Sequence, residues 1–299
     1  MYLPAMTSPP SEPGSSDGSD PLLGPSLAAL SASHPLIGSS PEHGQSVRRL
    51  ISLLNLLRYG LSRASQGSVD FPNTVAAVAC FARSYQGIQA SSLLCLTANY
   101  TEARTLIRSV YESAALGRTL AYESGLAEQW LHAQKWLPDK FAREYQKSFT
   151  IAEPDRNYRS YYQMASDSAH IVMKSTVPYA FDRRADLNLT FGPVLDADQL
   201  LTALREIVLM ALFSCFCFRN AFVDPRLLPP EWHQDLAQIA RDVSGKEMAH
   251  LEQDWEQHDR FLTEFAQHVR HSDELDDALN ADPNSYDNIR GRMGQQPDS

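Results

Sequence analysis

Apolar residues recur at spacings of three and four through most of the segment between residues 44 and 271. The stretch VRRLISLLNLLRYGLSRA, residues 47–64, is typical, because its leucines fall on one side of a helix. One stretch, TVPYAFDRRADLNLTFGPV, alternates apolar and polar residues on both sides of a polar centre, which favours a short hairpin. The pattern therefore predicts an all-α, multi-helix bundle of about seven helices, with room for one short β-hairpin near residues 177–194.

The two ends of the chain differ from this segment in composition. Residues 1–43 are rich in proline, serine and glycine, and such a segment buries too little apolar surface to offset the entropy of ordering. Residues 272–299 are polar in the same way. We therefore expect a disordered tail over 1–43, a single helical domain over 44–271 and a flexible polar tail over 272–299.

Proline, glycine and capping residues set the expected ends of the helices. Asn99 or Thr101 can cap the third helix, and Asp196 or Asp198 can cap the longest apolar one. The expected helices span about 47–64, 72–97, 99–122, a pair at 125–136 and 138–149 that is split by Pro138, 157–175, a core helix from its cap at Asp196 or Asp198 to about 222, and 231–271.

The longest apolar run is IVLMALFSCFCF, residues 207–218. As a helix it would rise about 18 Å, which is short of the roughly 30 Å hydrocarbon core of a bilayer. This length predicts a central core helix and no contact with a membrane.

Charge is spread unevenly along the chain. The net charge of −10 argues against a protein that coats nucleic acid or anionic membranes. Residues 44–122 nevertheless carry eight arginines against three acids, whereas residues 224–299 carry seventeen acids against seven basic residues. Attraction between these two parts of one molecule is the simplest interpretation, and nucleic acid could bind only through a local basic patch.

The four cysteines lie in apolar segments with helical spacing. A free cysteine in such a segment usually behaves as a small buried hydrophobic residue, so neither a disulfide nor a zinc site is predicted. Together with the lack of a secretory signal at the start, this indicates a soluble cytoplasmic protein without a metal ion or cofactor. The cysteines are Cys80, Cys95, Cys215 and Cys217.

The first candidate site lies in NYTEARTLIRSVYESAALGRTL, residues 99–120, where Arg104, Arg108 and Glu112 follow one another at four-residue spacing. Such a ladder can be a solvated face with one weak ion pair between Arg108 and Glu112. Small residues nearly all round this helix instead favour a helix enclosed by its neighbours. An enclosed arginine must be paired or hold an anion.

The second candidate site lies in YRSYYQMASDSAH, residues 158–170. Helical spacing places Tyr162, Ser166 and His170 on adjoining stripes of one helix. A histidine beside a hydroxyl can serve as acid, base or anion ligand, and it can equally be a hydrogen-bonded core residue.

Both stretches resemble a large family of bacterial all-helical proteins that is known only as a domain of unknown function. The resemblance covers about residues 50–220 and rests on an "A..L.R...E" helix followed by a "Y...S...H" helix. The matching positions are Arg108 and Glu112, then Tyr162, Ser166 and His170. The resemblance implies a helical fold and no defined activity.

Two main hypotheses for the function follow. In the first, the protein is a non-catalytic binding or interaction module for a protein or a small ligand, and a homodimer is compatible with it. Its ligand-binding residues would then form one internal polar cluster. These are Arg104, Arg108, Glu112, Tyr162, Ser166 and His170.

In the second hypothesis the protein is a defence-type or toxin-like ribonuclease, by distant analogy to the helical HEPN class. His170, Arg108 and Glu112 would be the catalytic candidates. Arg159 and His170 are about 16 Å apart along a continuous helix, too far for one phosphate. The one pair at suitable spacing, Arg226 and His233, is interrupted by Pro229 and Pro230, so the HEPN motif itself is absent.

A carboxylate-bridged di-iron bundle is a third and weaker interpretation. Glu247 and His250 supply one Glu-x-x-His motif, whereas that architecture needs two such motifs and two further glutamates. A solvated helix face accounts better for this acidic segment.

Overall fold

The computed structural model describes residues 24–66, 71–132, 193–224 and 226–244, together with residue 260. These residues form seven helices and no strand, which confirms the predicted all-α bundle. The predicted hairpin lies almost entirely outside the described residues, as do the helices expected at 138–149 and 157–175. The helices are α1 (Gly24–Ser39), α2 (Pro41–Ser65), α3 (Pro72–Leu96), α4 (Tyr100–Tyr122), α5 (Ser124–His132), α6 (Ala197–Ala221) and α7 (Pro230–Ser244).

The prediction of disorder over residues 1–43 is wrong for its second half. Residues 24–39 form α1, and α2 already begins at Pro41. Ala29 and Ser33 are buried, and Leu36 packs against the core. Contact with α2 thus stabilises a helix whose proline and glycine content alone disfavours it.

α6 is the central helix of the bundle. It packs against α2, α3, α4 and α7, and 16 of its 25 residues are buried. By length and composition it is the one helix among the described residues that could cross a membrane. The length of the apolar run 207–218 alone therefore does not argue against a membrane span, because the whole helix is longer. However, 78% of its most apolar window is buried inside the protein, as in a core helix.

Asp196 fixes the start of α6. Its side chain accepts hydrogen bonds from the backbone N–H groups of Asp198 and Gln199, at 2.9 and 3.0 Å. These bonds satisfy donors that have no partner within the helix, so Asp196 is the N-cap and one of the two predicted residues is confirmed in that role.

A tight turn joins α3 to α4. Ala98 has a φ of 59°, in the left-handed region, and Asn99 N–H donates to the carbonyl of Leu94 at 2.8 Å. Ala98 N–H donates to the carbonyl of Cys95 at 3.1 Å, which completes a Schellman ending of α3. Because the turn is this short, α4 runs back along α3 and also contacts α6.

Two glycines near the centre of the bundle allow close approaches between helices. A Cβ atom at Gly60 of α2 would overlap the ring of Phe218 on α6. A Cβ atom at Gly117 of α4 would come within 3.0 Å of the ring of Phe81 on α3. Phe81 and Phe218 themselves meet edge to face, with ring centroids 5.1 Å apart, so aromatic packing at the centre depends on both glycines.

Candidate functional site

Arg104 of α4 forms a buried ion pair with a residue that the sequence did not single out. Its Nε atom lies 2.6 Å from Oε2 of Glu206 on α6. The side chains of Arg104 and Glu206 are only 11% and 3% exposed. The polar side of α4 is therefore enclosed by α6 at this level, as the small residues of α4 indicated.

Arg108 and Glu112 form the intrahelical pair that their spacing predicts. Arg108 Nε donates to Oε1 of Glu112 at 2.9 Å. The two side chains are 27% and 32% exposed, so the pair is half-buried. The ladder thus divides into a deep pair between two helices and a shallower pair within α4.

Two neutral groups lie close to the deep pair. Burial raises the pKa of the Cys95 thiol, with a smaller lowering effect of Arg104 and a smaller raising effect of Glu206. Burial also raises the pKa of Tyr100, whose hydroxyl donates to the carbonyl of Asp196 at 3.1 Å. Both side chains therefore stay protonated at neutral pH, and the ion pair lies beside buried, uncharged groups.

A second buried arginine lies near the end of α4. Arg118 is 5% exposed, and its guanidinium lies close enough to Cys217 on α6 to influence that thiol. Burial raises the pKa of Cys217 to about 12, although Arg118 acts in the opposite direction. This thiol is therefore neither ionised nor nucleophilic at neutral pH.

The other cysteines are equally unsuited to catalysis. All four are free and buried, as expected, and burial raises the pKa of Cys80 to about 12. Cys215 donates to the carbonyl of Leu53 at 3.5 Å, and burial raises its pKa as well. The thiols serve as packing groups.

His43 is a buried histidine that no motif of the sequence points to. Its Nδ1 atom lies 2.7 Å from the hydroxyl of Ser40, and its Nε2 atom lies 2.9 Å from the carbonyl of Ala197. A ring so placed donates from Nε2 to the carbonyl and links the start of α2 to the start of α6. Its hydrogen bonds are those of a structural residue.

The other half of the predicted cluster cannot be joined to this geometry. Tyr162, Ser166 and His170 lie outside the described residues, so a shared site with Arg108 stays a prediction. Glu247 and His250 also lie outside them. In the part of the chain that is described, no group of three His, Cys, Asp or Glu side chains is placed to hold a metal ion.

No family model matches the sequence, and no curated protein or solved structure gives a significant match. The resemblance to a bacterial helical family therefore also stays a prediction.

Proposed function

We propose that the protein is a non-catalytic binding or interaction module, in which the polar residues of α4 hold the helices together. The observation that carries this proposal is the buried pair of Arg104 and Glu206. A guanidinium already bound to a carboxylate at 2.6 Å is a poor phosphate ligand, because phosphate would have to displace that carboxylate in a buried site.

The basic half of the chain supports the same proposal. Arg49 and Arg63 of α2 donate to the carbonyls of Asp242 and Arg226, at 3.0 and 3.2 Å. Arginines that make the early segment basic thus bind the acidic C-terminal segment of the same molecule. Because the acceptors are backbone carbonyls, one of them that of Arg226, these contacts hold the two segments together without pairing opposite charges.

The proposed setting is the bacterial cytoplasm, and the proposed partner is a protein or a small ligand. Cytoplasmic location fits the four reduced, buried thiols. The bacterial assignment comes only from the resemblance to that family over about residues 50–220.

The competing ribonuclease hypothesis assigns a phosphate to Arg108 and proton transfer to His170. The half-buried position of Arg108 leaves this role geometrically accessible, but Glu112 accepts its Nε hydrogen bond. A carboxylate beside the guanidinium opposes the binding of a second anion.

Cleavage of labelled RNA by the full chain tests the proposal, with Arg108→Ala and His170→Ala as variants. We expect no cleavage above that of buffer, and lower free energies of unfolding for both variants. The proposal is overturned if the wild-type protein cleaves RNA and a variant with an unchanged unfolding transition loses that activity. Gln45→Ala, an exposed change on α2, is the matched control.

A further inference from the structure

An open groove lies between α2 and α7. The Arg104–Glu206 pair lies elsewhere, between α4 and α6. The cavity volume of the groove is about 550 Å³, within the range of roughly 300–1,000 Å³ that is usual for small-ligand pockets. On each helix the lining residues recur at three and four positions, so one continuous stripe of each helix faces the groove. The lining residues are Ser52, Asn55, Leu56, Tyr59, Pro229, Trp232, Asp235, Gln238 and Ile239.

The walls of the groove are held in place by bonds within the protein. Trp232 is buried, and its indole N–H donates to the carbonyl of Leu56 on the opposite wall at 2.9 Å. Gln238 donates to Asp242 at 2.9 Å and accepts from Arg241 at 2.7 Å. A preformed site loses little conformational entropy when a ligand enters it.

Four polar groups of the groove have no hydrogen-bond partner in the described part of the chain, and the Ser52 hydroxyl is one of them. The Asp235 carboxylate, the Asn55 amide and the Tyr59 hydroxyl are exposed, and they make no hydrogen bond within the described part of the chain. Asp235 is also the one charged residue among the lining residues that the structure describes. The groove thus combines a negative charge with aromatic and aliphatic surface.

We propose that this groove binds an organic cation, an alkylammonium or alkylguanidinium group on a short apolar stem. Asp235 accepts charge-assisted hydrogen bonds from the cation, and the exposed ring of Tyr59 offers a face for a cation–π contact. Leu56 and Ile239 supply apolar surface for the stem. An anion of the same size would be repelled by the Asp235 carboxylate.

This inference rests on the proposed binding function and names the ligand class of that function. The same chemistry can come from a free small molecule or from an arginine or lysine side chain of a peptide. The two sources differ in size, so probes of both kinds distinguish them.

The test is a ligand-observed NMR titration of the full chain with butylguanidinium and butylammonium, and with neutral butylurea for comparison. Asp235→Asn removes the charge of the groove. Glu231→Gln is the matched control, because Glu231 is an exposed acid of the same helix outside the groove. Tyr59→Leu removes the aromatic face from an exposed position.

We expect saturable binding of both cations, weakened about tenfold by Asp235→Asn and unchanged by Glu231→Gln. Tyr59→Leu should weaken binding by about two- to fivefold. Butylurea should bind at least about tenfold more weakly than butylguanidinium, because it lacks the charge.

Three results would overturn the proposal: no saturable binding of either cation, equal weakening by Asp235→Asn and Glu231→Gln, or equal binding of butylurea and butylguanidinium. A blocked peptide with one arginine that binds more tightly than butylguanidinium identifies a peptide source, and the reverse identifies a free small molecule. Since the RNA cleavage assay is independent of these titrations, failure of the groove is distinguishable from failure of the proposed function.

Discussion

Arg104 and Glu206, which are 102 positions apart in the chain, form the deepest ion pair in the described part of the bundle. The pair joins α4 to the central helix α6. Removing one partner of such a pair leaves an uncompensated buried charge, which usually costs about 3–5 kcal/mol. A site of this kind sets the relative position of two helices and is a poor place for a reversible ligand.

The Arg108–Glu112 pair should contribute much less than the deep pair. Because both side chains are partly exposed, we expect a coupling energy of about 0.5 kcal/mol. A double-mutant cycle with Arg108→Ala and Glu112→Ala, followed by urea denaturation, measures it. The coupling should shrink further in 1 M salt. A coupling above about 2 kcal/mol would instead show that the pair is as desolvated as Arg104 and Glu206.

Asp196→Ala should lower the free energy of unfolding by about 1 kcal/mol, because two N–H groups at the start of α6 lose their acceptor. Asp196→Asn should retain most of the stability, since its amide oxygen can accept the same bonds. Thermal unfolding of the two variants measures the difference. An equal loss for both would mean that the charge of Asp196, and not its cap, matters.

Gly60→Ala should destabilise the protein by about 1–3 kcal/mol, because the added methyl group overlaps the ring of Phe218. Gly38→Ala is the control, since nothing lies within 4 Å of a Cβ at Gly38. At that exposed helical position alanine should be neutral or stabilising by up to about 1 kcal/mol. Chemical denaturation of both variants tests the close approach of α2 and α6. The close approach predicts a lower free energy of unfolding for Gly60→Ala and no loss for Gly38→Ala.

Stability should fall at alkaline pH because of the buried thiols. In the folded protein burial raises the pKa of Cys80 from 9.0 to about 12, so above pH 9 the unfolded chain binds fewer protons than the folded one. The stabilising effect of burying the neutral Cys80 thiol is therefore complete below pH 9 and is lost as the pH rises toward 12. Each such thiol can contribute a slope of up to about 1.4 kcal/mol per pH unit.

Urea denaturation at pH 8, 9 and 10 measures this slope for the wild-type protein and for Cys80→Ala. The variant should show the shallower decline with pH. If stability declines equally with pH in the wild-type protein and in Cys80→Ala, the raised pKa of the Cys80 thiol is contradicted.

The fold was largely predictable from the period of apolar residues. The expected helix at 72–97 matches α3, and the core helix expected to run from Asp196 or Asp198 to about 222 matches α6, which Asp196 caps. α1 was missed because composition describes a segment on its own, whereas α1 is stabilised by contact with α2. The helix expected at 231–271 begins as α7, and its continuation beyond Ser244 lies outside the described residues.

The candidate site was predictable only in part. Four-residue spacing within α4 was sufficient to predict the contact of Arg108 with Glu112. It could not show that Arg104 faces Glu206, because the periodicity of one helix does not identify its neighbour. One signal was present: Glu206 is an acid inside the apolar stretch LREIVLMAL, and a buried acid needs a partner.

The coupling energy between Arg104 and Glu206 tests the central claim most directly. It is obtained from the free energies of unfolding of the wild-type protein, Arg104→Met, Glu206→Met and the double variant. A structural pair predicts that each single change costs about 3–5 kcal/mol, and that the double change costs at least about 2 kcal/mol less than the sum. Single losses below about 1 kcal/mol that simply add would contradict a buried pair and would leave Arg104 free to hold a ligand.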